Sequence, residues 1–388
     1  MSDTVRIVFG GDVSPRDGIE ADRLFQHGRL WSSRLGERLA EADLIAVNLE
    51  TVLGEKAQPR PKIGVHLRAD RRLGDIIAAS GIKLGTLANN HIFDYGAEGV
   101  GETTDCLRGA GVEYLGVGET PEAASRLKIV EVKGRKIGFL AYAEHEFNYW
   151  SAHDPSTALL DPAGNVLEIQ AAAKQCDFLV VFSHFGPEGH DTPSPRMKHV
   201  LHSFVRAGAS AIINCHAHRI MGMEFFDGVP ICYGLGNLFF PGRGIRFPWW
   251  YHGVMAELTI EADGRVNCRN IFTKFDDGGS VDCVDDSDEA AREFEQLSAA
   301  IADDAEVEAR WLAFCRSQRK HLLRQVVKGS MALFCGWLGA KLCLRKRGWQ
   351  NDRSLAARGT RMFRGLLMCE NHVEEFQWIF DDLMKNGW

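Results

Sequence analysis

Apolar runs that end in polar residues constrain the fold of this chain more than any other feature. Continuous apolar runs of this length are typical of strands buried on both faces of a sheet. Apolar spacing and a closing glycine predict helices at 97–111 and 197–209 between the runs. The sequence therefore predicts an α/β fold. The main runs are VRIVFG (5–10), DLIAVNLE (43–50), IKLGTLANNH (82–91), DFLVVFSH (177–184) and SAIINCHAH (210–218).

Two predicted hairpins make the sheets mixed rather than purely parallel. The runs KIVEV and KIGFLAY, within 128–142, are joined by KGR, and EFFDGVPICYGLGN (224–237) turns at an Asp-Gly pair. The composition then changes in FDDGGSVDCVDDSDE, which is rich in Asp, Gly and Ser and is followed by helical patterns. We therefore predict a catalytic domain at 1–275, a linker at 276–287 and a helical C-terminal region at 288–388.

Composition and charge exclude several classes of protein. The 388 residues are 45% hydrophobic and carry a net charge of −7 with both signs interspersed, which predicts a globular chain with no nucleic-acid partner. We find no basic leader before a long apolar stretch and no run near the roughly 20 apolar residues of a membrane span. The 10 cysteines form no C-x-x-C pair. Reduced thiols and a cytoplasmic location are therefore predicted, with a membrane-peripheral location as an alternative.

Polar side chains of metal-binding type follow five of the predicted strands. Because the carboxyl ends of strands in α/β folds surround a common crevice, we expect these side chains to converge there. Carboxylate, amide and imidazole groups bind divalent cations or move protons. Any one of them could instead be a turn residue or a satisfied polar group, so the prediction depends on their recurrence. The residues are Asp12, Asn48, Glu50, Asn90, His91, His184, His216 and His218.

Several motifs resemble those of the CapA-type capsule-synthesis proteins, also called the poly-gamma-glutamate synthesis family. They are GGD, DLIAVNLET, LANNHIFDYG, SHFGPE, HAH and YGLGNLFF, and they cover about residues 5–245. That family is similar in fold to the calcineurin-like metallophosphoesterases. The resemblance therefore implies a sandwich of two mixed β-sheets flanked by helices, plus the helical C-terminal region. Within that region, MCENHVEE (368–375) resembles an extension of some capsule-locus members.

The resemblance also implies a set of metal ligands. One divalent ion (Mn, Zn, Fe or Mg) would bind Glu50, Asn90, His184 and His216. A second would bind Asp12, Glu50 and His218. Phosphoesterases begin with D-x-H, whereas this chain reads Asp12-Val13-Ser14, so the second position lacks an imidazole. The resemblance leaves one ion, two ions or none open.

The resemblance and the positions of other residues in the sequence predict further roles at the same site. His91 and Asp12 would be catalytic. An anionic or peptide substrate would need cationic partners, for which Lys62 and Arg68 are additional candidates, and His145 and His190 lie close in sequence to the site loops. The remaining substrate contacts would come from Asn48, Arg16, Arg219, Glu188 and Asn237.

Three functions are compatible with these residues. The leading hypothesis is a metal-dependent hydrolase of a phosphoester, or of an amide in a poly-glutamyl or peptide chain, in capsule or peptide-polymer biosynthesis. The second is a metal-independent epimerase in which Asp12 and a histidine move a proton at a peptide Cα. The third is a non-catalytic capsule-assembly scaffold whose C-terminal helices bind a capsule-machinery partner or a membrane surface. The fold alone does not decide among them.

Overall fold

The computed structural model describes residues 4–15, 19–62, 64–148, 155–241, 247–276, 279–285, 289–341 and 369–386. The strands are Val5–Val13 (β1), Leu44–Leu49 (β2), Val52–Leu53 (β3), Arg68–Ala69 (β4), Leu84–Thr86 (β5), Glu113–Leu115 (β6), Val117–Gly118 (β7), Lys128–Val132 (β8), Arg135–Ala143 (β9), Ser156–Thr157 (β10), Phe178–His184 (β11), Ala211–Cys215 (β12), Met223–Phe226 (β13), Val229–Cys232 (β14), Asn237–Phe239 (β15), His252–Ile260 (β16), Val266–Phe275 (β17) and Val281–Cys283 (β18). The helices are Ile19–His27 (α1), Ser33–Leu39 (α2), Leu73–Ala79 (α3), Gly96–Gly109 (α4), Pro121–Ala124 (α5), Pro162–Ala172 (α6), Pro195–Ala207 (α7), Glu289–Ile301 (α8), Asp304–Lys341 (α9) and Glu370–Asn386 (α10), with a 3₁₀ turn at Pro248–Tyr251.

The first sheet is mixed, and β1 lies inside it. Its strand order is β18-β17-β16-β1-β2-β5-β6, and β15 also pairs with β1. Strand β1 runs parallel to β2 and antiparallel to β16. The register places Asp12 opposite both Asn48 of β2 and Asn237 of β15. The carboxyl ends of β1 and β2 and the first residue of β15 therefore bring these three side chains to one edge of the sheet.

The second sheet is also mixed and ends at the same edge. Its strand order is β13-β14-β12-β11-β9-β8. Strands β9, β11 and β12 are parallel, and their register aligns His184 with both Ala143 and Cys215. Because β9 and β12 end at this level, the residues that follow them, Glu144 and His216, lie beside His184.

The two sheets pack face to face through an apolar layer. Phe9 of β1 meets Phe182 of β11 edge-on, with ring centroids 5.3 Å apart, and Phe182 stacks on Phe139 of β9 at 6.3 Å. On the outer faces, helices bury residues such as Leu73 of α3 and Phe204 of α7. Sheets covered on both faces need continuous apolar strands, as the sequence has. The predicted sandwich of two mixed sheets flanked by helices is confirmed.

The segment predicted as a linker, 276–287, contains an edge strand. Strand β18 pairs antiparallel with β17, and Val281 within it is fully buried. The surrounding Asp, Gly and Ser residues are turn formers that obscure a strand of only three residues. The chain therefore stays attached to the first sheet up to Cys283 before the helices begin.

The described part of the C-terminal region is helical and packs on the sandwich. Phe294 of α8 lies edge-on to Phe272 of β17 at 5.6 Å. Helices α9 and α10 share a small core built around Trp311 and Ile379. None of the described helices is long and apolar enough to cross a membrane.

Candidate metal centre

Side chains from both sheets meet across a cleft at the shared edge. The Asn48 amide donates a hydrogen bond of 2.7 Å to Asp12 Oδ1, and the same nitrogen lies 3.1 Å from His184 Nδ1. Asp12 and Asn48 belong to the first sheet and His184 to the second. All three are at most 2% exposed. The structure thus brings together the strand-end residues that the sequence predicted to converge.

The first group of candidate ligands surrounds His184. Its Nε2 atom lies 3.1 Å from Asn90 Oδ1, 3.2 Å from His216 Nδ1 and 3.7 Å from Glu50 Oε1. Ligand atoms of Glu50, His184 and His216 all lie within 4.8 Å of one another. Two imidazoles, a carboxylate and an amide oxygen form a donor set suited to a divalent transition-metal ion or Zn²⁺.

The second group shares Glu50 with the first and is smaller. His218 Nδ1 lies 3.5 Å from Asp12 Oδ2, and His218 Nε2 lies 3.7 Å from Glu50 Oε1. Ser14 is fully buried where a D-x-H motif has its imidazole, and its hydroxyl has no hydrogen-bond partner among the described residues. The second group therefore offers three ligands where the first offers four.

An unusual backbone lets His216 and His218 face the same cleft. Residues two apart on a strand normally point to the same face, but after the strand has ended this rule no longer fixes their direction. Here β12 has ended, and both histidines have left-handed backbone angles, with φ of 98° and 55°. The His216 amide also donates to Asp12 Oδ2 at 3.3 Å. Such strain costs about 1–3 kcal/mol for each residue and is typical of functional sites.

Glu50 is the side chain that most directly indicates a cation. Both carboxylate oxygens are buried and have no hydrogen-bond partner among the described residues. Burial raises the pKa of Glu50 well above its usual range, while the charge of His218 opposes that shift. An uncompensated buried carboxylate is costly. A divalent cation between the imidazoles would satisfy these oxygens, so the residues present fit such an ion.

The histidines have opposite protonation tendencies. Burial, together with the charges of His216 and His218, lowers the pKa of His184 well below its usual range. Its neutral ring is the form that binds a metal. Burial alone would also lower the pKa of His216 and His218, but nearby carboxylates raise these values to about 10 and about 9. For His216 the main carboxylate is Glu144, and for His218 it is Glu50. Both rings therefore release protons when a cation binds.

His91 is held with one nitrogen toward the cleft. Its Nδ1 lies 2.7 Å from Asp94 Oδ2, while its Nε2 lies 3.8 Å from Glu50 Oε1. Lys62 forms an ion pair with Asp94 and lies 3.3 Å from His91 Nδ1. Burial lowers the pKa of His91, and the Asp94 charge opposes this shift. The ring is thus oriented to exchange a proton at Nε2.

Two glutamates in the site were missed in the sequence. Glu144 Oε1 lies 2.7 Å from His216 Nε2, and the Asn90 amide donates to Glu146 Oε2 at 3.1 Å. Ligand atoms of Glu144, Glu146 and His216 also lie within 4.8 Å of one another. The sequence signal was the run Glu-His-Glu (144–146), which directly follows β9. Within this run a role in the site was predicted only for His145.

The five predicted substrate contacts differ in their surroundings. Glu188 is exposed to solvent. Desolvation would raise the pKa of Glu188, but the charges of His216 and His218 lower this pKa overall. Asn237 Oδ1 lies 3.0 Å from His218 Nδ1 and so holds that ring. Arg219 pairs with Glu293 at 2.9 Å and is already neutralised. Asn48 bridges Asp12 and His184, as described above, and Arg16 lies outside the described residues.

The first turn of α10 docks beside the cleft. Arg196 Nη2 donates to Glu370 Oε2 at 2.8 Å, and the Ser194 hydroxyl donates to Glu374 Oε2 at 2.8 Å. His145 Nδ1 lies 2.7 Å from Glu370 Oε1, so this histidine contacts the helix. His372 is half-buried, its Nδ1 has no hydrogen-bond partner among the described residues, and it lies within electrostatic reach of Glu188.

His190, the other candidate substrate contact, has a packing role. It is buried and stacks on Phe314 of α9, with ring centroids 4.5 Å apart. Its Nε2 lies 3.1 Å from the hydroxyl oxygen of Thr192. Burial lowers the pKa of His190 to about 4, so the ring is neutral and belongs to the interface with the helical region.

Comparison with known proteins identifies related sequences over the sandwich. A family model described as bacterial capsule synthesis protein PGA_cap matches residues 6–241. The capsule biosynthesis protein CapA of Bacillus anthracis is 28% identical over 211 residues, covering 52% of this chain and 51% of that protein. The PGA biosynthesis protein CapA of Bacillus subtilis (strain 168) is 27% identical over 203 residues, covering 51% and 53%. The chain thus spans about half the length of these curated relatives.

Similarity to solved structures is weaker. A 5′-nucleotidase precursor from Thermus thermophilus aligns with a TM-score of 0.35 and 19% identity, covering 72% of this chain and 52% of that one.

Proposed function

The chain belongs to the bacterial capsule synthesis protein family PGA_cap, and we propose that it is a divalent-metal-dependent hydrolase acting in capsule or peptide-polymer biosynthesis. The observation that supports this proposal most is Glu50, whose two buried oxygens have no hydrogen-bond partner among the described residues. It stands beside three imidazoles, those of His184, His218 and His91, each within 3.8 Å of Glu50 Oε1.

The first ion would be held by Glu50, Asn90, His184 and His216. A bound divalent cation lowers the pKa of water and polarises the bond under attack. Asp12 and His218 would complete a second, weaker position with the same Glu50. Asn48 holds Asp12 in place through its 2.7 Å hydrogen bond, and Asn237 holds His218 through its 3.0 Å contact.

His91 is the proposed proton donor. In hydrolysis, water adds to the phosphorus or carbonyl carbon, and the bond to the leaving oxygen or nitrogen breaks with its electron pair. His91 Nε2 faces the cleft and can take up the proton that the attacking water releases and pass it to that leaving atom, while Asp94 keeps the ring in position at 2.7 Å. General acid catalysis of this kind contributes about 10²–10⁴-fold.

The charge of the cleft favours an amide over a phosphodiester as the reacting group. Glu144, Glu146 and Glu188 add carboxylates beyond the two proposed ligand groups. The nearby cations Lys62 and Arg219 are already ion-paired, with Asp94 and Glu293. A phosphodiester would bring a further negative charge toward these carboxylates, whereas an amide is uncharged. An amide in a peptide chain is therefore the proposed reacting group. A poly-glutamyl chain carries one carboxylate per residue and would have to direct these groups away from the cleft glutamates.

Epimerisation is the less favoured function. The epimerase hypothesis requires Asp12 to exchange a proton with a substrate Cα. Asp12 is fully buried, and each of its oxygens already accepts a hydrogen bond, from the Asn48 amide and from the His216 backbone. A scaffold role would not explain why both buried carboxylate oxygens of Glu50 lack a hydrogen-bond partner among the described residues.

Three assays on the full chain separate these functions. With Mn²⁺ added, we expect release of new amine groups from γ-glutamyl and α-peptide substrates, at a rate well above that for bis(p-nitrophenyl) phosphate. The variant His91→Ala is the matched control and should lose turnover. Deuterium uptake at a substrate Cα without cleavage would instead indicate an epimerase. Absence of all three activities in metal-loaded protein would contradict the enzyme proposal.

A further inference from the structure

Two glutamates after β9 contact the far sides of two proposed metal ligands. Glu144 and Glu146 are two residues apart on one segment. Glu144 Oε1 lies 2.7 Å from His216 Nε2, which is the ring nitrogen turned away from His184. Glu146 Oε2 accepts a hydrogen bond of 3.1 Å from Asn90 Nδ2, on the side of the amide turned away from His184.

We propose that Glu144 and Glu146 are positioning residues that fix the orientation of His216 and Asn90 for metal binding. This inference rests on the proposed metal centre. With a proton on Nε2 directed to Glu144, the Nδ1 lone pair of His216 points toward His184 and the ion. With its NH₂ group directed to Glu146, the Asn90 amide presents its oxygen to the same place.

Both contacts select one of two possible orientations of a metal ligand. A neutral imidazole can carry its proton on either nitrogen, and a terminal amide can turn by half a rotation, so each ligand has a non-binding arrangement. An ionised carboxylate accepts hydrogen bonds only, which makes the wrong arrangement of either ligand unfavourable. Burial raises the pKa of Glu144 and raises that of Glu146 to about 8, so this effect is strongest at alkaline pH. Outer contacts of this type typically change metal affinity by about 10–100-fold.

The environment of these glutamates matches that role. Glu144 is fully buried against His216, and its backbone amide is hydrogen-bonded to His184 O at 3.2 Å. The parallel pairing of β9 with β11 aligns Ala143 with His184, which fixes where the segment leaves the sheet. One short segment thus holds ligands that come from β12 and from the loop after β5.

Two kinds of substitution test the proposal, one that changes the charge of the side chain and one that shortens it. Glu144→Gln and Glu146→Gln lose the charge and replace the acceptor-only carboxylate by an amide that can present either its oxygen or its NH₂ group. Glu144→Asp and Glu146→Asp keep the charge but withdraw the acceptor by one methylene. Metal affinity is measured by titrating Mn²⁺ or Co²⁺ into metal-free full-length protein by calorimetry, with the Co²⁺ absorption spectrum as a second readout. Glu188→Gln removes one charge from the same cleft without a ligand contact and serves as the matched control.

We expect both the Gln and the Asp variants to bind metal about 10–100-fold more weakly than Glu188→Gln does, with an altered Co²⁺ spectrum. Affinities of both kinds of variant within about threefold of Glu188→Gln would overturn the proposal, because the glutamates would then not orient the ligands. A loss in the Gln variants alone would also overturn it, because the charge alone would then be responsible. A loss of one bound ion with unchanged affinity for the remaining ion would also overturn it, since the glutamates would then be ligands. Absence of metal binding by the wild type would instead refute the proposed function.

Discussion

Glu50 belongs to both candidate ligand groups, so its removal should affect both. We predict that Glu50→Ala and His216→Ala lower the affinity for the first ion by more than about 100-fold, beyond the range of outer-contact changes. His91→Ala should keep that affinity and lose about 10²–10⁴-fold in kcat. Elemental analysis with calorimetry, and turnover of metal-loaded protein, measure the two effects.

The control for these variants is Glu98→Ala, which changes an exposed glutamate of α4. It should match the wild type in metal content and in turnover. If Glu50→Ala, His216→Ala and His91→Ala all bound metal as the wild type does, the ligand assignment would be wrong.

Ser14 gives a second prediction at the level of single residues. It lies two residues after Asp12, directly beyond the end of β1. We predict that Ser14→His supplies the missing imidazole and tightens the second ion by about tenfold or more, because the second group otherwise has three ligands. Calorimetric titration should then resolve two ions. Ser14→Ala is the control and should leave both affinities unchanged, whereas equal second-ion affinity in Ser14→His would contradict the prediction.

At this scale the sequence predicted the site through residue type and position. Asp12, Glu50, His184 and His216 were recognised because each follows a buried apolar run. Glu144 also follows such a run, but β9 was interpreted only as part of a hairpin. Partners such as the Asn90–Glu146 hydrogen bond depend on side-chain rotation, which residue spacing does not specify.

Among the secondary-structure elements, β1 depends on a glycine for its position. A Cβ on Gly11 would lie 2.1 Å from the carbonyl oxygen of Gly236, in the segment before β15. We predict that Gly11→Ala pushes these segments apart, costs about 1–3 kcal/mol of unfolding free energy and displaces Asp12. Thermal unfolding and second-ion affinity measure these effects.

The control for Gly11→Ala is Gly101→Ala within α4, where an added Cβ would have no atom within 4 Å. In a helix this substitution should stabilise by about 0.5–1 kcal/mol. Gly11→Ala with the same melting temperature as the wild type would show that the close approach has no energetic importance.

Docking of α10 should depend on pH through His145. Its hydrogen bond to Glu370 raises the pKa of His145, and in return the pKa of Glu370 is lowered although burial opposes this. For the histidine, the stabilisation is fully present below its unfolded pKa of about 6.5 and is lost as pH rises through the raised folded value. For Glu370, it is present above about 4.3 and is lost as pH falls through the lowered folded value.

Hydrogen exchange of residues 369–386, corrected for intrinsic rates, should therefore show the strongest protection between about pH 4.5 and 6.5. The variant His145→Gln should remove the decrease in protection on the alkaline side. A pH-independent protection difference between wild type and variant would contradict this account. Such docking could not be predicted from the sequence, because Arg196 and Glu370 are 174 residues apart.

For the whole molecule, the site exists only because two sheets end at one edge. Apolar runs predicted the α/β fold, and the change of composition predicted the helical C-terminal region, whereas the sandwich of two sheets was implied by the resemblance to the CapA-type family. It did not predict the pairing of β18 with β17 within 276–287, since a three-residue edge strand among turn formers gives no periodic signal. The packing of α10 beside the cleft adds His372 to its surroundings, a residue for which the sequence offered no role.

The central claim is that the first ligand group binds a divalent cation. The most direct test is anomalous diffraction from crystals grown with Mn²⁺, recorded on both sides of the manganese absorption edge. We predict a peak within about 2.0–2.4 Å of Glu50, Asn90, His184 and His216. Well-ordered density for these four side chains without a peak between them would contradict the account.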